Sequence, residues 1–201
     1  MKHIKEFDKF LNESKLRKGK SYHGSKIFVF DMDDTLILTS AKIKVYNHKT
    51  KERFELTPKE YNDYEKHPDH YLDFADFGSY EIMKGAKLID YYLKIFKDAY
   101  KHKIAIGIVT AREDYNMIYR WFKEHLGYVI DKDLIFAVND KKHGLKGNNN
   151  AEKKKEAFKK FIEMGYTDMQ FFDDDKENLR LVKSLEKEYP HINITTIHAK
   201  I

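Results

Sequence analysis

Five short apolar runs, rich in β-branched and aromatic residues, recur along the chain: KIFVF (26–30), IAIGIV (104–109), LIFAV (134–138), MQFF (169–172) and NITTI (193–197). Runs this short and continuous suit strands buried on both faces, where neither side can carry charge. Between them, apolar residues take helical spacing over 87–101, 115–126, 151–164 and 176–189. Gly127, Gly165 and Pro190 follow three of these segments, where helices stop. Strand alternating with helix predicts an α/β protein with a doubly wound, mostly parallel, Rossmann-like sheet.

Residues 37–84 interrupt the alternation. AKIKVYN and ERFEL read as a hairpin around a polar turn, and Thr57-Pro58-Lys59-Glu60 is a capping box with Pro at the first helical position. A short helix is expected next, then the aromatic loop HYLDFADFGSY. This is an insertion after the first strand, too small to fold alone. The 201 residues therefore divide into an amino-terminal arm, 1–25, and one domain, 26–201, carrying the insertion. In the arm, Ile4, Phe7 and Leu11 share one helical face and the flanking residues are basic.

The chain has no Cys, which excludes disulfides, thiolate zinc sites and cysteine nucleophiles. No apolar run approaches the roughly 20 residues that span a bilayer. The start is charged every few residues, so it has no secretory apolar core. A soluble, cytoplasmic protein without a membrane partner is expected. The net charge is +5, concentrated in the first twenty-six residues and in Lys141 to Lys160. Such stretches are either solvated faces or contacts for nucleic acid.

In open α/β sheets, ligands bind beyond the carboxyl ends of the strands. Asp31-Met32-Asp33-Asp34-Thr35 follows the first run, Thr110-Ala111-Arg112 the second, and Asp173-Asp174-Asp175 the fourth. The helix leading into the fourth run carries Lys153, Lys154 and Lys155 in its first turn, and spacing to Phe158 favours Lys154. Carboxylates gathered at one edge need a cation to ionise together. Oxygen ligands without His or Cys suit Mg2+. A carboxylate beside it can attack phosphorus, and a second one two residues on lies on the same side of the strand for proton transfer. Thr and Lys add a donor and a charge for the phosphoryl oxygens.

These residues resemble, in order, the four signatures of the haloacid dehalogenase superfamily of phosphohydrolases: Asp31 to Leu36, then Thr110, then a lysine of 153–155, then Asp173-Asp174. The resemblance implies Asp31 as nucleophile, Asp33 as general acid/base, and Mg2+ held by Asp31, the Asp33 carbonyl and Asp174. Three consecutive Asp depart from the usual fourth signature, leaving Asp173 as helper or further ligand. Thr110, Ala111, Arg112 and Lys154 would bind phosphate. KIFVFDMDDTL, FELTPKEYNDY and VTAR also resemble tailed-phage phosphatase-like proteins. VTAR and FFDDDKENL are similar to the phosphatase parts of end-healing polynucleotide kinases. The implied activity is hydrolysis of phosphomonoesters, on a phosphorylated small molecule or a nucleic-acid end.

Several residues admit two readings. Asp173 to Asp175 would also cap the following helix. The Asp31 to Asp34 run lacks the Gly of a calcium loop, with Leu36 in its place. A phospho-acceptor receiver domain has its acidic pair early and its Lys last, against the order here. Arg112 either grips a phosphate or pairs with a neighbouring acid. Tyr61, Tyr64, Tyr71, Phe74 and Phe77 either stack a base or anchor the insertion. MKHIKEFDKFLNE resembles phage capsid-targeting leaders that end in Leu-x-Glu, as Leu11-Asn12-Glu13 does; an ordinary docking helix is the alternative. Packaging in virions would follow from the first, and residence in a host cytoplasm otherwise. The rival function is a non-catalytic phage protein that binds Mg2+, phosphate and nucleic acid.

Overall fold

The computed structural model describes residues 25–200, so the arm read in the sequence, with its Leu11-Asn12-Glu13, lies outside the described residues. The strands are β1 (Lys26–Phe30), β2 (Ile37–Leu38), β3 (Ile43–Asn47), β4 (Arg53–Leu56), β5 (His70–Asp73), β6 (Lys87–Leu88), β7 (Ala105–Thr110), β8 (Ile135–Ala137), β9 (Asp168–Asp173) and β10 (Asn193–His198). The helices are α1 (Pro58–Asn62), α2 (Tyr80–Lys84), α3 (Asp90–Lys101), α4 (Tyr115–Arg120), α5 (Asn150–Glu163), α6 (Lys176–Lys183) and α7 (Leu185–Glu188).

Five strands form one parallel sheet in the order β10-β9-β1-β7-β8. Alternation along β1 sends Phe28 and Phe30 into one apolar cluster and Ile27 and Val29 into the other. Tyr92, Leu93, Phe96 and Ala99 of α3, with Met117 and Ile118 of α4, cover the first face. Ala157, Phe158 and Phe161 of α5, with Leu179 and Val182 of α6, cover the second. The protein is thus α/β, with helices on both faces of the sheet. Gly107 of β7 admits the ring of Phe161; a Cβ there would stand 2.8 Å from the ring's Cζ.

The order places β1 at the point where the chain turns back. β7 and β8 extend the sheet on one side of β1, β9 and β10 on the other. A crevice must therefore open beyond the carboxyl ends of β1 and β9. Their register pairs Phe30 with Phe172, so Asp31 and Asp173 emerge side by side. The Asp31 N–H still donates to the Phe172 carbonyl at 2.9 Å.

β2 and β6 pair antiparallel and bracket the insertion. Inside it, β3 is the centre of a three-stranded antiparallel sheet, with β4 and β5 at its edges. The Thr57 capping box forms, with Thr57 Oγ1 accepting from the Glu60 N–H and the Glu60 carboxylate accepting from the Thr57 N–H. The expected aromatic loop contains β5, so the hairpin is one strand richer than its sequence suggests.

Three helix boundaries also differ from expectation. The segment 87–101 begins as strand β6, and its helix starts at Asp90. In 115–126, α4 gives way to a π-helical turn over Trp121–Leu126. The wider turn allows consecutive Trp121 and Phe122 both to be buried, and Gly127 ends it at φ +77°. The segment 176–189 breaks at Ser184, whose Oγ donates to the Leu181 carbonyl at 2.6 Å. No helix of the described residues is long and apolar enough to cross a membrane.

Candidate active site at the carboxyl edge of the sheet

Lys154 is the organising group. It sits on the stripe of α5 formed by Ala151, Ala157, Phe158 and Phe161, so helical geometry buries it to 2% exposure. Its Nζ lies 3.0 Å from Asp31 Oδ1 and 2.7 Å from Asp173 Oδ2. Its neighbours point elsewhere: Lys153 Nζ donates to Asn139 Oδ1 at 2.7 Å, and Lys155 pairs with Glu188. The other oxygen of fully buried Asp173 accepts from the Asp175 N–H and from Asn178 Nδ2, each at 2.9 Å. Both oxygens of Asp173 are therefore committed to protein donors.

After Asp31 the chain folds into a tight knot. Leu36 N–H and Ile37 N–H both donate to the Met32 carbonyl, at 2.8 and 3.0 Å, and Asp34 takes φ +56°. Asp tolerates that left-handed conformation better than most residues. Asp33 is held by Arg112, whose Nε donates to Oδ2 at 2.9 Å and whose Nη2 donates to Oδ1 at 2.8 Å. The third guanidinium nitrogen donates to the Phe77 carbonyl of the insertion at 2.6 Å. Of the two roles open to Arg112, this structure displays the pairing with an acid. Thr110 is buried at the end of β7, and its Oγ1 accepts from the Arg112 N–H at 3.4 Å. The Ala111 carbonyl accepts from Asn139 Nδ2 at 2.7 Å.

Asp31, Asp173 and Asp174 each offer a carboxylate oxygen, all within 4.8 Å of one another. Burial pushes the Asp31 carboxyl well up; Lys154 opposes this, while Asp173, Asp174 and Asp33 add to it. Burial and then the charge of Asp173 push Asp174 up to about 7, again against Lys154. Burial lowers the Lys154 pKa, but Asp173 and Asp31 outweigh it and the net direction is upward. The cluster holds more negative charge than one lysine offsets, which is the electrostatic setting of a cation site.

Asn178 adds a second indication. Its Nδ2 must face acceptor-only Asp173, which turns Oδ1 the other way. That oxygen is buried and has no hydrogen-bond partner. A hydrated hard cation between Asp31 and Asp174 would bring a water donor to it. The donor set therefore fits a divalent cation, with Asp31 and Asp174 as ligands and Asp173 holding Lys154 and Asn178.

Asp31, Lys154, Asp174 and Asn178 line a cleft of about 950 Å³, together with Thr110, Ala111 and Arg112. The insertion forms another wall through Tyr61, Tyr71, Phe74 and Phe77. Tyr64 is not on that wall; it packs against Phe54 and His70 inside the insertion. Four of the five aromatic residues thus line the cleft, and Tyr64 packs within the insertion. Sequence reasoning gave no role to Asn139, or to Asn178, although Asn178 lies within FFDDDKENL. It also treated Lys141 to Lys160 as one stretch, although Lys159 pairs with Glu156 at 2.8 Å and Lys160 with Glu163 at 3.0 Å on the surface. No family model, no curated protein and no solved structure matches this chain.

Proposed function

We propose that this protein is a Mg2+-dependent phosphomonoester hydrolase of the haloacid dehalogenase type, acting through an aspartyl phosphate on nucleotides or nucleic-acid 3′ or 5′ phosphate ends. In this reading residues 37–84 are a small cap over the site. The observation that carries it is the bridge from Lys154 to Asp31 and Asp173 beside a cation-fitting pair of carboxylates. Mg2+ bound there supplies positive charge to the phosphoryl oxygens and to the crowded carboxylates.

Lys154 and Thr110 orient the phosphoryl group over Asp31. An Asp31 carboxylate oxygen attacks phosphorus, and the ester P–O bond breaks in line. Asp33, released from Arg112 and protonated, gives its proton to the leaving oxygen. Asp33 then takes a proton from water, whose oxygen attacks the same phosphorus. The P–O bond to Asp31 breaks, inorganic phosphate leaves, and both side chains return to their starting state.

Mg2+-dependent phosphate release from a generic aryl phosphate, mononucleotides and phosphate-ended oligonucleotides, measured for wild type and Asp31→Asn, tests this. Release by wild type alone supports the hydrolase; equal release by both proteins sinks the mechanism. The engagement of both Asp33 oxygens by Arg112 favours a second reading, a non-catalytic phosphate- and nucleic-acid-binding phage protein. Salt-sensitive oligonucleotide binding without any phosphate release would select it.

A further inference from the structure

We infer that the cleft selects a free nucleoside monophosphate over a phosphorylated strand, with the base lying on Tyr71 and Phe74. This rests on the hydrolase reading above and narrows its substrate. The phosphoryl-binding groups and the aromatic wall line one continuous cleft. An ester held at Asp31 can therefore extend its leaving group along that wall. A volume near 950 Å³ falls among sites for single small molecules, which run to about 1,000 Å³.

The wall is built to offer ring faces. Tyr71 is 65% exposed and Phe74 40% exposed. Phe74 is braced edge-on by Tyr61, with centroids 5.3 Å apart at 85°. Phe77 follows at 6.4 Å, and the Arg112 guanidinium lies 5.6 Å from the Phe77 ring. The row thus runs from Arg112 through Phe77 to Phe74, and Tyr71 lines the same cleft. Bases stack on such faces whatever their identity.

Charge along the described cleft disfavours the polymer. Outside the phosphoryl site, the cleft is lined by Asp73, Glu113, Asp114, Asp140 and Asp175, with Lys142 as the one cation on that rim among the described residues. A strand brings one further negative charge with each nucleotide, and binding it requires a basic track. Lys155 and Lys159 are instead engaged with Glu188, and Lys160 with Glu163. A mononucleotide presents only the phosphate that the site neutralises.

The test measures kcat/KM of the full chain with Mg2+ on four substrates: a nucleoside monophosphate, ribose 5-phosphate, phosphocholine and a short oligonucleotide bearing a terminal phosphate. The mononucleotide is expected to lead ribose 5-phosphate by about tenfold, as stacking on two rings allows. In Tyr71→Ala/Phe74→Ala that lead should collapse through KM rather than kcat, residual ribose 5-phosphate hydrolysis showing that the variant is folded. Glu113→Lys should raise the ratio of oligonucleotide to mononucleotide turnover at low salt. Equal rates on ribose 5-phosphate and mononucleotide, or preference for phosphocholine or the oligonucleotide, overturn the inference. If no phosphate is released from anything, the hydrolase reading fails and calorimetric binding judges the wall. Tighter binding of nucleoside monophosphate than of ribose 5-phosphate, lost in the double variant, supports it; equal affinities overturn it.

Discussion

Arg112 grips Asp33 with two N–H···O bonds, Nε to Oδ2 and Nη2 to Oδ1, across 79 residues of sequence. The fork geometry is specific to a guanidinium, and a lysine at the same place offers one point charge. The third nitrogen ties the same side chain to the Phe77 carbonyl. Arg112→Lys is therefore expected to lower kcat by about tenfold or more while Mg2+ affinity stays put, since it loosens the placing of the Asp33 side chain and leaves the Asp31 and Asp174 carboxylates untouched. Steady-state kinetics over a Mg2+ titration checks both halves.

Lys154→Met keeps the length of the side chain and removes its charge, leaving Asp31 and Asp173 without their buried partner. Breaking a buried ion pair in this way costs about 3–5 kcal/mol. The variant should melt well below wild type, and phosphate release should fall by about a hundredfold or more. Lys155→Met, which loses only a surface pair with Glu188, should melt within a few degrees of wild type and keep its activity. A Lys155 variant as inactive as the Lys154 variant would contradict the site described above.

Asn178→Leu fills about the same space without the buried, unpartnered amide oxygen. Loss of a group that orients a cation's water shell typically weakens affinity by about 10–100-fold. The Mg2+ concentration for half-maximal activity should rise accordingly, with a smaller change in kcat at saturation. Asp174→Asn should raise it further. An unchanged Mg2+ requirement in Asn178→Leu would remove that side chain from the cation site.

Asp174 holds its proton to about 7 in the fold, against 3.8 for the ordinary carboxyl, first because of burial and then because of Asp173. A group that binds its proton more tightly folded than unfolded stabilises at low pH and loses that contribution as pH rises through the folded value. Asp31 is displaced in the same direction. Metal-free protein should therefore lose Tm from about pH 4 to about pH 7 relative to Asp174→Asn, with His143, which burial shifts the opposite way, common to both. Mg2+ competes with the proton and should flatten the difference. Melting curves across this range, with and without Mg2+, provide the check.

The parallel core was legible because its signals are local. KIFVF and MQFF announce buried strands by composition, and Lys154 stands on the apolar stripe of its helix, so its inward direction follows from spacing. What stayed hidden is relational. His70–Asp73 is half-exposed and became a strand by pairing with Ile43–Asn47, which its own residues do not signal. Lys87–Leu88 looked helical because its partner strand, Ile37–Leu38, is fifty residues away. Asn178 stands within FFDDDKENL without an evident role there, and its significance comes from which way an amide must turn beside Asp173. The Asp33–Arg112 pair carries no short-range signal at all.

The ladder of Ile37 with Leu88 and Leu38 with Lys87 fixes where the chain leaves the sheet and where it returns. Paired antiparallel residues stand about 5 Å apart, so departure and return are adjacent points. Everything between them is topologically a detachable loop: it can be shortened, exchanged or replaced by a tight turn without rethreading any strand of the parallel sheet. The acid cluster sits at the ends of β1 and β9 and its lysine on α5, none of which passes through that loop. In the proposed reading the acid cluster and the aromatic wall thus reside in separable stretches of one chain, so the wall can change while the cluster stays.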